Sequence, residues 1–203
     1  MPAEIILAYV TGLSRKKRLV FQASVQCAPV LKGIKTSNIV TTKKGDWCVL
    51  KEELTGTGIA CIPLFTGDTT EVVLLYRYNR LAALLLNREV QEFLKEQGYE
   101  SFGLAAVILE LRKRYTEYSF GQAPFPHELG ILLDYPLQDV RGFMENHGEG
   151  SLFTGYWKVY HNPSRARAVF AAYDKARETA MKEIMKGCTL REVAAEERSK
   201  NYG

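Results

Sequence analysis

Ile59-Ala60-Cys61-Ile62-Pro63-Leu64-Phe65 and Glu71-Val72-Val73-Leu74-Leu75-Tyr76-Arg77-Tyr78 are apolar, β-rich runs separated by Thr66-Gly67-Asp68-Thr69. Two such runs around a short glycine-containing connection are a β-hairpin signature. Proline has no N–H to give to a ladder, so Pro63 predicts that the first strand lies at a sheet edge or carries a bulge. Residues 38–42 are short and β-branched and predict a further strand upstream.

Outward from the hairpin, most of the chain has helical spacing. Residues 4–12 read as a helix stopped by Gly12. The segment after the basic run leads through Leu19, Phe21, Ala23 and Val25, as helix or turn, toward Cys27. Asp46 is placed to cap a helix over 47–55. A helix over 81–97 has a break near Asn87, and Ser101 caps the next, whose buried face is Leu104, Val107, Ile108, Leu111 and Tyr115. Residues 119–126 form a loop that delivers His127, and 128–133 read as a buried strand. Pro136 opens a helix with Val140, Phe143 and Met144 inward, and residues 155–160 alternate like a strand. A long amphipathic helix starts at Ser164, and Thr189-Leu190-Arg191-Glu192 is a capping box for a last short one. Strands grouped among helices in this order predict an α+β fold: a small, mainly antiparallel sheet flanked by helices. The chain reads as one domain over 1–203, with C-terminal helices over 164–198 packed upon it.

At 203 residues the chain is long enough to bury a substantial core. Its net charge of +4 is mild, and Arg15-Lys16-Lys17-Arg18 is its basic run. That run reads as a solvated helix face before it reads as a docking patch. Without a clustered aromatic–basic motif, nucleic acid is not an expected partner. Cys27, Cys48, Cys61 and Cys188 show no CxxC and no ligand spacing with the histidines, so no metal is expected. Scattered cysteines read as reduced thiols. The N-terminal apolar run is too short, and lacks a basic flank, for a signal peptide or a membrane span. The expectation is a soluble cytoplasmic protein with no membrane partner. No nucleotide-binding or zincin motif is present, and no cofactor is implied.

The chemistry-bearing residues are Cys27 and His127. In Cys27-Ala28-Pro29-Val30-Leu31-Lys32-Gly33, proline suits the first turn of a helix and glycine its end, which puts the thiol at a helix start. The free N–H groups and partial positive charge there lower a thiol pKa. His127, in Phe125-Pro126-His127-Glu128-Leu129-Gly130, could serve as its base. Gln22 or Gln26 could add an oxyanion donor. The orienting carboxylate is Asp139 before Asp134, because Asp139 lies one strand and one turn beyond His127. Glu128 is adjacent to His127 and points to the opposite face of a strand. Equally, a lone cysteine at a helix start is often a small buried hydrophobe. His147 reads as a helix C-terminal residue and His161 as a turn residue. Tyr156 and Trp157, with Tyr160 and Lys158, could line a pocket for an acyl chain, although core packing is the better reading. Arg77 and Arg80 read as surface charges before a phosphate grip.

Four pieces together resemble a family of uncharacterised proteins from anaerobic firmicutes that carry a domain of unknown function. They are Cys27-Ala28-Pro29-Val30-Leu31, Phe125–Gly130, Tyr135-Pro136-Leu137-Gln138-Asp139-Val140-Arg141-Gly142-Phe143 and Gly155-Tyr156-Trp157-Lys158-Val159-Tyr160. The chain order Cys, His, Asp is also similar to that of papain-like and transglutaminase-like cysteine enzymes. One of these is associated with amide-bond formation in closthioamide-type polythioamide antibiotic assembly. The resemblance implies a papain-like fold with Cys27, His127 and Asp139 as nucleophile, base and orienter. The papain Cys-Gly-x-Cys-Trp signature is absent.

The function expected from this reading is a cysteine acyltransferase. Cys27 would take an acyl group from a carrier-protein thioester, and an amine co-substrate would resolve it to an amide. A cysteine hydrolase using the same residues is the first alternative. A non-catalytic domain that binds a small molecule or a protein is the second. A homodimer is compatible with all three.

Overall fold

The computed structural model describes residues 3–194. Helices α1 (Ala3–Thr11) and α2 (Arg15–Gln26) and the single turn α3 (Ala28–Leu31) lead into strand β1 (Ser37–Lys43). After α4 (Asp46–Glu53) come β2 (Ile59–Thr66) and β3 (Thr70–Arg77), the hairpin that the sequence announces. Then follow α5 (Tyr78–Leu85), α6 (Arg88–Glu96), α7 (Leu104–Ser119), the single turn α8 (Leu129–Leu132) and α9 (Leu137–Glu145). A small hairpin, β4 (Phe153–Thr154) and β5 (Lys158–Val159), precedes α10 (Pro163–Met185) and α11 (Leu190–Ala194).

The fold is α+β, with a three-stranded antiparallel sheet in the order β1-β3-β2 and helices on both faces. Strand β2 is therefore an edge, and its register shifts between Pro63 and Phe65. Both accommodations that Pro63 predicts are present. The sheet alternation divides the interior. Val40, Cys61, Val73 and Leu75 point into a core built with α2, α3, α10 and α11. Ile39, Ile62, Leu74 and Tyr76 point the other way, into a core built with α5 to α9. Each leucine fully buried in these cores contributes about 1.5–3 kcal/mol.

Local chemistry explains the element boundaries. Asn87 breaks the predicted 81–97 helix by capping α6, its side-chain oxygen accepting from the N–H groups of Glu89 and Val90. The capping box forms, with Thr189 N–H donating to Glu192 Oε2 at 2.7 Å and Glu192 N–H to Thr189 Oγ1 at 3.2 Å. Asp46 is not the cap of α4. Gly45 occupies that position in the left-handed region at φ 88°, where the missing Cβ removes the steric cost. The buried Glu71 carboxylate accepts from the N–H groups of Gly45 and Trp47, and Asp46 pairs with Arg15 at 2.7 Å. Lys16 pairs with Glu53, so two cations of the basic run are spent on α4.

Four further expectations need correction. Within residues 128–133 the chain forms the single turn α8 and not a strand, and Gly130 lets Val140 of α9 pack closely against it. Residues 155–160 contribute only β5 and the turn before it. Gly103, not Ser101, precedes α7. Arg77 is buried, its Nε donating to Val30 O at 2.7 Å and its Nη2 to Leu31 O at 2.8 Å, so it caps the carbonyls that end α3. Among the described residues, no helix is long and apolar enough to cross a membrane.

Candidate functional site

Cys27 stands between α2 and α3, where the sequence puts it. Its N–H donates to Ala23 O, and its carbonyl accepts from the N–H groups of Val30 and Leu31. The side chain has no exposed surface and packs among Val40, Val73, Leu75 and Ala180. Burial pushes the thiol up to about 12; Lys35, followed by a weak contact from Asn38 Nδ2 at 4.0 Å, opposes the rise. The expected depression is thus reversed. A single helical turn gathers little dipole, whereas the core removes water from every side of the sulfur.

His127 sits in the turn before α8, half-buried, with its ring 5.5 Å from those of Phe125 and Phe143. Desolvation lowers its pKa, against the pull of Glu128, so the imidazole is neutral at pH 7. It lines a cavity with Ile39, while Cys27 packs with Val40. Ile39 and Val40 are consecutive on β1 and face opposite ways, so the sheet lies between thiol and imidazole. The structure does not bring Cys27 and His127 together.

Asp139 does not fold back on His127; it is directed to the segment after α9. Its Oδ2 accepts from the Trp157 indole N–H at 2.7 Å, and its Oδ1 from the N–H groups of Tyr160 and His161 at 2.8 Å each. The imidazole it approaches is that of His161, at 4.0 Å. Gly142 permits this arrangement, since a Cβ there would press into the Tyr160 ring. Asp134, held at φ 66°, accepts from Thr36 N–H at 2.7 Å. Glu128 is buried and accepts from Tyr99 OH at 3.1 Å and from Arg114 Nη1 at 3.4 Å. Neither glutamine is an oxyanion donor to Cys27: Gln22 Nε2 donates to Thr41 O at 2.9 Å, and Gln26 is exposed, with its carbonyl accepting from Asn38. Tyr156 donates to Asp174 at 2.7 Å. Trp157 is core, stacked on Tyr135 with centroids 5.2 Å apart. Among the described residues, no three His, Cys, Asp or Glu side chains converge as metal ligands.

What the structure does assemble is a pair of cavities separated by Asp139 and Trp157. The first, about 290 Å³, is apolar: Ile39, Leu129, Val140 and Phe143 form walls, His127 and Lys158 add polar groups, and Asp139 also borders it with its carboxylate already taken up by three N–H donors. The Lys158 ammonium donates to Gly148 O at 2.6 Å. The second, about 570 Å³, is more open and polar, with Asp134, Gln138, His161 and Arg165 around it. Phe143 and Val140 as inward residues of α9 were legible from helical spacing, and Trp157 and Lys158 line the cavity as the pocket alternative for that segment had it; Ile39 carried no distinguishing pattern.

Lys35, which no sequence signal marks, is buried near both cavities. Its Nζ donates to Asn38 Oδ1 at 2.9 Å and lies 5.4 Å from the Tyr135 ring and 5.6 Å from that of Tyr173. Burial lowers its pKa to about 8, against the opposing influence of Cys27 and Asp134. The native state therefore carries a desolvated ammonium at neutral pH, softened by two ring faces.

Thiol chemistry follows directly from these placements. With iodoacetamide at pH 8, mapped by peptide mass spectrometry, exposed Cys48 is expected to alkylate first. Buried Cys27 and Cys61, both pushed up to about 12, should react at least about a hundredfold more slowly until the protein is unfolded. Labelling of Cys27 at a rate matching Cys48 would contradict this placement.

The chain belongs to the family described as "Protein of unknown function (DUF3793)", whose model matches residues 24–194. No curated protein matches the chain, and no solved structure does.

Proposed function

We propose that this DUF3793 domain binds a small, mainly apolar molecule in the cavity beside His127. The observation that carries this reading is the cavity itself: a concave apolar volume of about 290 Å³ with a few convergent polar groups. That combination is the usual form of a small-molecule site. A neutral imidazole offers one donor and one acceptor nitrogen, and the Lys158 ammonium retains donors beyond the one given to Gly148 O. The favoured ligand is therefore an apolar body of a few carbons ending in a hydroxyl or carboxylate.

Acyl transfer or hydrolysis through Cys27, and with it the papain-like reading of the fold, draws no support from the geometry. The Cys, His, Asp order of the chain does not correspond to three side chains that meet. A thiol in the opposite core offers neither a thiolate nor a path to His127. The cavity would suit an acyl chain, but among the described residues no cysteine, serine or threonine lines its walls.

Calorimetric titration with 1-octanol, octanoate and octylamine tests the proposal. Octanol and octanoate are expected to bind saturably and octylamine at least about tenfold more weakly, because Lys158 repels an ammonium. Ile39→Phe, which adds volume from β1 into the cavity, should abolish that binding while leaving the folded circular-dichroism spectrum intact. Absence of saturable heat with all three probes, or binding unchanged in Ile39→Phe, would overturn the reading.

A further inference from the structure

The open edge of β2 is a second, independent feature. A groove of about 920 Å³ runs along it, walled by α4 on one side and α7 on the other. Its floor is the strand from Ile59 to Pro63, and its walls include Trp47 and Leu54 from α4 and Leu104 and Ile108 from α7. Leu109, also on the α7 wall, is 64% exposed, a large apolar side chain left facing water.

The hydrogen-bond pattern of the sheet shows what the groove offers. Tyr78 N–H donates to Gly58 O, and Arg77 N–H turns the other way to Thr36 O on the β1 side. Antiparallel ladders alternate bonded and non-bonded pairs. With Ile59 opposite Arg77, Cys61 opposite Leu75 and Pro63 opposite Val73, those three residues are the non-bonded partners of β3. Their main-chain groups face outward. Ile59 N–H is met locally by Thr57 Oγ1 at 3.2 Å, and Pro63 has no N–H. The groups directed into the groove are Cys61 N–H and C=O and the carbonyls of Ile59 and Pro63. An alternation of donor and acceptor at strand spacing is complementary to another extended main chain.

We propose that this groove takes an extended acidic peptide segment as a fourth strand of the sheet. Side-chain alternation fixes how it would be read. The residue opposite Cys61 turns toward α4, where Trp47 and Lys51 stand. Those opposite Ala60 and Ile62 turn toward α7, where Ile108 and Arg112 stand. Lys51 and Arg112 put a cation on each wall, and among the described residues no carboxylate lines the groove. The charge selects the occupant. A second copy paired edge to edge would bring its own Lys51 and Arg112 against these two, whereas carboxylates on the incoming strand would be matched on either face. The bulge and Pro63 shorten the edge and discourage self-pairing in the same way.

The probe is a fluorescein-labelled octapeptide of four Glu-Val repeats, acetylated and amidated, followed by fluorescence polarisation. It is expected to bind saturably. The matching Lys-Val peptide should bind at least about tenfold more weakly, and methylating all the main-chain amide nitrogens of the Glu-Val peptide, so that neither edge can pair, should abolish binding by removing its main-chain donors. The double variant Lys51→Glu with Arg112→Glu, both exposed positions, should reverse the charge preference. No binding of the Glu-Val peptide would overturn the proposal, as would equal binding of its methylated form, which would mean charge attraction without strand addition. Sedimentation equilibrium showing a dimer that competes with the peptide would overturn it in favour of a second copy.

Discussion

Asp139→Ala is expected to destabilise the protein by about 3–4 kcal/mol, because a buried carboxylate that satisfies several donors leaves each of them unpaired when it is removed. The Trp157 indole N–H and the N–H groups of Tyr160 and His161 all depend on it. His161 is exposed and its N–H can turn to water, which is why the sum is not larger. In urea, with a slope near 2 kcal/mol/M for a chain of this size, the midpoint should fall by about 1.5–2 M. Asp139→Asn retains one acceptor oxygen and sets an amide N–H against the remaining donor, so an intermediate loss of about 1–2 kcal/mol is expected. A residue that only orients a catalytic imidazole would leave the urea midpoint almost unmoved, and that result would contradict the structural role.

Arg77→Met is the second large effect, at about 3 kcal/mol or more. The methionine fills most of the arginine's apolar stem, so the loss isolates the guanidinium, which donates to the carbonyls of Val30 and Leu31 inside the core. Removing it strands Leu31 O without water and leaves Val30 O with the Gly33 N–H alone. Arg80→Met provides the comparison: Arg80 is exposed, and its substitution should stay within about 0.5 kcal/mol. Thermal unfolding of the two variants side by side checks the contrast. Equal stability would mean that the α3 carbonyls find other donors.

These two residues also show what the sequence could and could not disclose. The hairpin, the edge or bulge at Pro63, the break at Asn87 and the capping box at Thr189 were legible because each is fixed by neighbouring residues. Arg77 reads as a surface charge in Tyr76-Arg77-Tyr78, and only the arrival of α3 against the end of β3 reveals its task. Cys27 was placed correctly at a helix start, but the sign of its pKa shift is set by α10 and the sheet, which cover it from far along the chain. The run Leu129-Gly130-Ile131-Leu132-Leu133 is short and apolar, and such a run cannot be assigned to strand or helix turn by periodicity. Asp139 was expected to fold back alongside His127, and it turns instead to the segment that follows it. Spacing could not say that it would meet an indole and two main-chain N–H groups rather than His127. The cavity and the groove are products of packing between distant elements, and no local pattern encodes either.

Trp47 stands on the wall of the β2 groove, with the Lys51 ammonium 5.6 Å above its ring, and Trp157 is buried between the two cavities with its N–H on a carboxylate. The chain contains these two tryptophans and no others. Each candidate site thus has its own intrinsic chromophore, one in a partly exposed cationic setting and the other in buried aromatic packing. Their emission bands should separate, with Trp157 to the blue. Trp47→Phe leaves a single emitter that answers to the cavities, and the difference from wild type answers to the groove. An extract fraction or a compound library can therefore be screened against both places at once, without a dye and without knowing in advance which of them a hit will occupy.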